Sequence, residues 1–132
     1  MADLLVPEDD EVAVVGELTA RMSLHVGTRV PPRKVPGEFV RVVSLGGVER
    51  DLVSDSFSLA IEGFAESEGR ARKLCALAVA HLQAAGRAGV LGGVVCYGVE
   101  AAGLPGNLPL PTLPTHFRYT ATIVAHLRRD VG

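Results

Sequence analysis

Four histidines, two cysteines and a scatter of hydroxyls and acids are what this sequence offers for chemistry. The histidines are His25, His81, His116 and His126. A metal centre needs several ligands converging at short range. His116 and His126 fall on what reads as one strand. They share a face but sit about 33 Å apart at the usual strand rise, so they cannot share a metal within one subunit. His81 falls beside the apolar stripe of a helix, where a packed or half-exposed imidazole is expected. Cys75 and Cys96 stand in apolar surroundings, with no Cys-x-x-Cys and no histidine at ligand spacing. Buried, reduced thiols follow, and no disulfide scaffold is indicated.

Ser54, Asp55 and Ser56, with Thr120 and Thr122, supply hydroxyls. No base stands at a recognisable motif spacing from them, as an activated nucleophile requires. Gly86, Gly89, Gly92 and Gly93 fall between a helix and a strand. A phosphate loop runs the other way, strand first, with the helix N-terminus holding the anion. This run therefore reads as a flexible helix-to-strand connection. Asp9, Asp10, Glu11, Glu66 and Glu68 stand at helix starts and read as caps. No enzymatic activity, cofactor or metal is expected. Arg29, Arg33 and Lys34 form the one basic cluster. Exposed Arg and Lys are enough for phosphate contacts. No aromatics interleave for base stacking, and a solvated loop is the plainer reading.

The elements that position these residues can be read from periodicity. Asp9 or Asp10 caps a helix over residues 11–22. Val12, Val15, Leu18 and Met22 recur there at helical spacing, with Gly16 as a weak point. A short strand fits residues 24–30, and Pro31, Pro32 and Pro36 make the rest a loop or extended arm. Residues 39–45 read as a strand, Gly46-Gly47 as a turn, and residues 48–53 as its hairpin partner. Phe57, Leu59 and Ile61 share one face of a further strand over 57–64. Ser67 caps a helix over 68–85 with a buried stripe of Ala71, Leu74, Cys75, Ala78 and Leu82, and Gly86 sits at its expected stop. A strand over 92–99 follows. Residues 103–115, with Pro105, Pro109, Pro111 and Pro114, read as a stiff loop without regular structure, long enough to be functional. From Phe117 to Arg128 apolar and polar residues alternate, with Val124 the exception, which predicts a long strand with one buried and one exposed face. The expected fold is α/β of the α+β kind: a mixed or antiparallel sheet of about four to five strands with two helices on one face.

The chain is one domain, residues 1–132, and its 48% hydrophobic content suits a folded protein. With 5% aromatics and no Trp, small aliphatic residues must fill the core. A net charge of -2 does not suggest a nucleic-acid binder as a whole. The distribution is uneven. Asp3, Glu8, Asp9, Asp10, Glu11 and Glu17 crowd the first twenty residues, while Arg118, Arg128 and Arg129 mark the end. Such segments can meet across a subunit boundary and orient partners. The start of the chain lacks the basic and long apolar regions of a signal peptide, and no apolar run reaches membrane-spanning length.

Over residues 50–130 the element order carries a resemblance. A strand from Phe57 to Phe64 leads into the Ala-rich helix beginning at Glu66-Ser67-Glu68. The strand at 94–99 leads to a Gly/Pro loop with Gly103-Leu104-Pro105 and Leu108-Pro109, and Arg118-Tyr119 opens the last strand. In this order the chain resembles the tail terminator, or tail completion, proteins of siphophages. That resemblance implies a homo-oligomeric ring, usually of six subunits. The ring docks on the last ring of tail-tube protein, stops polymerisation and presents a surface to the head–neck connector. It would be a virion protein at the head-proximal end of the tail, made in the host cytoplasm, with no membrane association. On this reading the contact candidates are Arg29, Arg33 and Lys34 on one loop, Leu108 and Pro109 on the other, and Arg118, Arg128 and Arg129 on the last strand. The basic loop would also suit a passing contact with DNA in the lumen. Two other classes stay open. One is a different neck or head-completion connector, told apart by whether it binds tail tubes or filled heads. The other is a small-molecule-binding α/β domain, which needs a concave pocket with convergent polar groups.

Overall fold

The computed structural model describes residues 4–132; the acidic residue Asp3 lies outside them. In chain order the elements are β1 (Leu5–Val6), α1 (Asp10–Arg21), β2 (His25–Gly27), β3 (Glu38–Glu49), β4 (Ser54–Ala65), α2 (Glu68–Ala88), β5 (Val90–Leu91), β6 (Val94–Ala101), β7 (Gly106–Asn107), β8 (Phe117–Arg128) and β9 (Asp130–Val131). One sheet runs β2-β3-β4-β8-β6-β5, with β7 also on β8, and β1 pairs with β9 apart from it. Among the described residues only β2 and β3 run parallel, so the sheet is mixed. Both helices pack on one face, and the fold is α+β as the element order predicts.

The strand number exceeds the expected four to five. The four long strands are those that periodicity marks. The others have two or three residues each; β2 falls within the short strand expected over 24–30, and the rest are too short for an alternating pattern to register.

The core lies between the helices and the inner sheet face. Leu74, Cys75, Ala78 and Leu82 of α2 meet Leu59 and Ile61 of β4 and Tyr119, Ile123 and Leu127 of β8, all buried. Most of these side chains are small or branched, so backbones approach closely. A Cβ on Gly63 of β4 would lie 2.6 Å from the Cys75 amide nitrogen of α2. The alternation in β8 holds: Tyr119, Ala121, Ile123, Ala125 and Leu127 are buried and the residues between them half-buried.

Three expectations need correction. Gly46-Gly47 is not a turn. The strand runs through it to Glu49 with a register shift between Ser44 and Gly47, and the chain reverses at residues 50–53. Gly46 takes φ +89, and the extra residue makes a bulge that bends the strand without ending it. Gly86 does not stop α2. It is buried inside the helix against β6, and Gly89 (φ 89) is the left-handed cap. Residues 90–101 form a hairpin, β5–β6, around Gly92-Gly93, both at positive φ, and not one strand from 92.

Two smaller departures follow. α1 buries Ala13, Val14, Glu17 and Leu18, while Val12 faces out at 68% exposure, so its buried stripe is rotated from the predicted one. The loop at 103–115 holds one short strand, β7, where the chain pairs with Tyr119–Thr120.

Candidate assembly surfaces at the two ends of the sheet

The register divides the predicted contact residues between two ends. At one end Glu38, Ala65 and Phe117 stand side by side; at the other, Glu49, Asp55 and Leu127 do. A twelve-residue strand such as β8 separates them by about 36–40 Å.

The first end gathers both proline loops. His116 Nε2 meets the Pro36 carbonyl at 2.8 Å, which ties the 28–37 loop to the 102–116 loop. Beneath them Phe39 and Phe64 stack at 4.5 Å on the sheet face away from the helices, both fully buried. Their neighbour is a charged triad. Glu62, 4% exposed, accepts from Arg41 Nε and from Arg118 Nη1, the latter at 2.9 Å. Arg118 also donates to the Leu108 carbonyl, and the Leu108 amide donates to the Arg118 carbonyl at 3.0 Å. Arg118 therefore anchors the second loop to the sheet. Leu108 stays 55% exposed at that anchor, with Pro109 exposed beside it. Arg29, Arg33 and Lys34 are exposed on the first loop, and none makes an ion pair among the described residues.

The second end holds Arg128 and Arg129. Arg129 fans across Asp55 (2.7 Å from Nη2) and Glu49 (3.0 Å), and its hydrogen bonds to the Asp55 carboxylate hold the guanidinium protonated more firmly than usual. Arg128 is exposed and unpaired among the described residues. Beyond them the reversal between β3 and β4 puts Leu52 almost fully into solvent. Leu45 and Val48 are exposed on the way to it.

Arg118 and Arg129 thus have partners within the chain. So do three acids of the first segment: Asp9 caps α1 through the Val12 amide, and Asp10 and Glu11 accept from Ser44 Oγ and the Ser44 amide. Glu11 thereby covers an outward N–H on the open edge of β3, a device that discourages stray strand pairing.

Sequence reasoning missed the Glu62 triad and one cross-strand contact. Ser56 Oγ lies 2.7 Å from His126 Nδ1, and His126 Nε2 lies 3.4 Å from Glu100. Three strands bring these residues together, and no local spacing marks them. A hydroxyl, an imidazole and a carboxylate in line are the skeleton of an activated nucleophile. The clearest surface grooves include neither Ser56 nor His126 in their linings. Of those grooves the largest, about 470 Å³, lies between α1 and β2 along Val12, Val15 and Gly27. Cys75 and Cys96 are buried free thiols, as expected. Among the described residues no group of three His, Cys, Asp or Glu side chains is placed to hold a metal.

No protein-family model and no curated protein matches this sequence. A solved chain shares its fold: one from the virion of a native gene transfer agent particle, at 16% identity and TM-score 0.66, over 90% of this chain and 94% of that one.

Proposed function

We propose that this protein is a structural component of a phage-like virion. In that role it is a subunit of a ring, six-membered by the sequence resemblance, that caps the head-proximal end of the tail tube. The ring stops tube polymerisation and presents the surface for head–tail joining. The observation that carries this reading is the fold shared with a virion chain along nine-tenths of the sequence.

The geometry supports it. A protein that joins two assemblies needs two separated contact surfaces, and this sheet holds its candidates at opposite ends. Contacts between unlike surfaces of neighbouring copies close into rings when the rotation permits. The exposed tip around Leu52 and the anchored loop at Leu108–Pro109 both leave apolar side chains in solvent, one for each of two partners. The role asks for no catalysis, metal or cofactor.

The test is to mix the purified protein with tail tubes and, separately, with filled heads lacking tails, and to image both. A ring at one end of the tubes is expected. Binding to heads alone would make it a different neck connector, and binding to neither would overturn the reading. In a complementation assay, shortening residues 108–112 should leave heads and tails unjoined.

A further inference from the structure

We propose that the loop at residues 28–36 is a phosphate-contact surface for duplex DNA. The inference does not depend on a ring or on a place in the tail.

It starts from where unneutralised charge is left. The chain holds 13 Lys and Arg residues. Arg21, Arg41, Arg50, Arg70, Arg118 and Arg129 make ion pairs, and Arg72 lies over the Tyr119 ring. Of the cations with no acid in range among the described residues, Arg29, Arg33 and Lys34 fall within six consecutive positions, all exposed. A protein of net charge -2 has acids to spare, so this concentration is local and not a consequence of overall basicity.

The loop is also held in shape. Pro31, Pro32 and Pro36 restrict its backbone, and His116 grips the Pro36 carbonyl. Lys34 sits at φ 49, the one non-glycine residue at positive φ among the described residues, a conformation that L-residues other than glycine rarely adopt. A stiff loop loses little entropy on docking. Arg29 and Arg33 are four residues apart, so they span at most about 14 Å. At about 3.4 Å of rise per phosphate along one strand, both reach the same short stretch of backbone.

The chemistry favours nucleic acid over an acidic protein. Protein–protein contacts centre on buried apolar groups with charge at the rim. Residues 24–37 themselves expose no large hydrophobic; Leu108, exposed at the same end, belongs to the second loop. DNA interfaces are polar and positive, and the guanidinium fork suits phosphate oxygens.

The experiment is anisotropy of a labelled 20-base-pair duplex titrated with the full chain at several salt concentrations. Three phosphate contacts give a slope of log affinity against log salt of about -2.7, or roughly 40-fold weaker binding for a fourfold rise in salt. Replacing Arg29, Arg33 and Lys34 with Ser should remove about that much of the slope, while Arg87→Ser, an exposed cation on α2, should leave most of it. If the triple variant fails to fold, Arg33→Gln with Lys34→Gln should remove about two-thirds. An unchanged slope in a folded variant, no binding at low salt, or equal displacement by polyglutamate of matched charge would each overturn the proposal.

Discussion

Replacing Glu62 with Gln tests whether the charged triad holds the Leu108 loop. The Glu62 carboxylate is 6% exposed in its side chain, and the guanidinium groups of Arg41 and Arg118 are 21% and 18% exposed. Glutamine keeps the shape but removes the charge, and it turns an amide donor toward one of two cationic donors. Removing one partner of a buried pair costs about 3–5 kcal/mol, and a hydrogen bond to a charged group contributes about 1.5–3. Both guanidinium groups keep some contact with water, which recovers part of their solvation. A loss of about 2–3 kcal/mol is therefore expected, toward the lower of those values. For a chain of this size that is a fall in Tm of roughly 10 °C. Urea unfolding followed by circular dichroism should show a lower midpoint at an unchanged slope. The difference should persist at 0.5 M salt to a large degree, because a buried pair is weakly screened. Amide exchange at Leu108 and its neighbours should quicken as Arg118 loses its fixed partner. A change below about 0.5 kcal/mol, the usual surface value, with unaltered exchange in the loop, would refute the anchoring argument.

Two further predictions concern packing and titration. Gly16 and Gly86 both lie inside helices, yet their replacement by Ala should have opposite signs: open space at Gly16 gives a gain of about 0.5–1 kcal/mol. At Gly86 the new Cβ would lie 2.6 Å from the Val99 amide nitrogen, so Ala there should cost about 1–3 kcal/mol; matched thermal melts decide it, and equal effects would mean that α2 can shift off β6. Burial pushes the Cys75 thiol up to about 11 from an ordinary 9.0. Between those values the unfolded chain has released this proton and the folded chain keeps it, so stability falls with rising pH by about 1.4 kcal/mol per unit. Urea titrations from pH 8 to 10.5 should therefore fall more steeply for the native chain than for Cys75→Ala, and parallel slopes would count against it.

Local pattern determined a good deal of this protein. The caps at Asp9 and Ser67, the stripe from Ala71 to Leu82 and the alternation from Tyr119 to Leu127 each depend on neighbours a few residues apart, so they are legible without a fold. The four long strands, the two helices and the buried thiols follow from the same short-range rules. Where reading failed, the deciding partner was distant in sequence. Gly86 looks like a helix stop until β6 lies across it and makes a small residue necessary. Gly46-Gly47 looks like a turn until β4 pairs on both sides of it and makes it a bulge. Val12 looks apolar enough to bury, but α1 is rotated so that Val14 and Leu18 meet the core while Asp10 and Glu11 reach Ser44. The same holds for the surfaces. Composition and spacing pick out Arg29, Arg33, Lys34, Leu108 and Arg118 as candidates. Only strand register brings both loops to one end, gives Arg118 to Glu62 and Arg129 to Asp55, and leaves the 29–34 cations without a partner among the described residues. Ion pairing is a through-space matter between residues up to 80 positions apart, as in the Arg129–Glu49 pair, and a linear pattern carries no record of it.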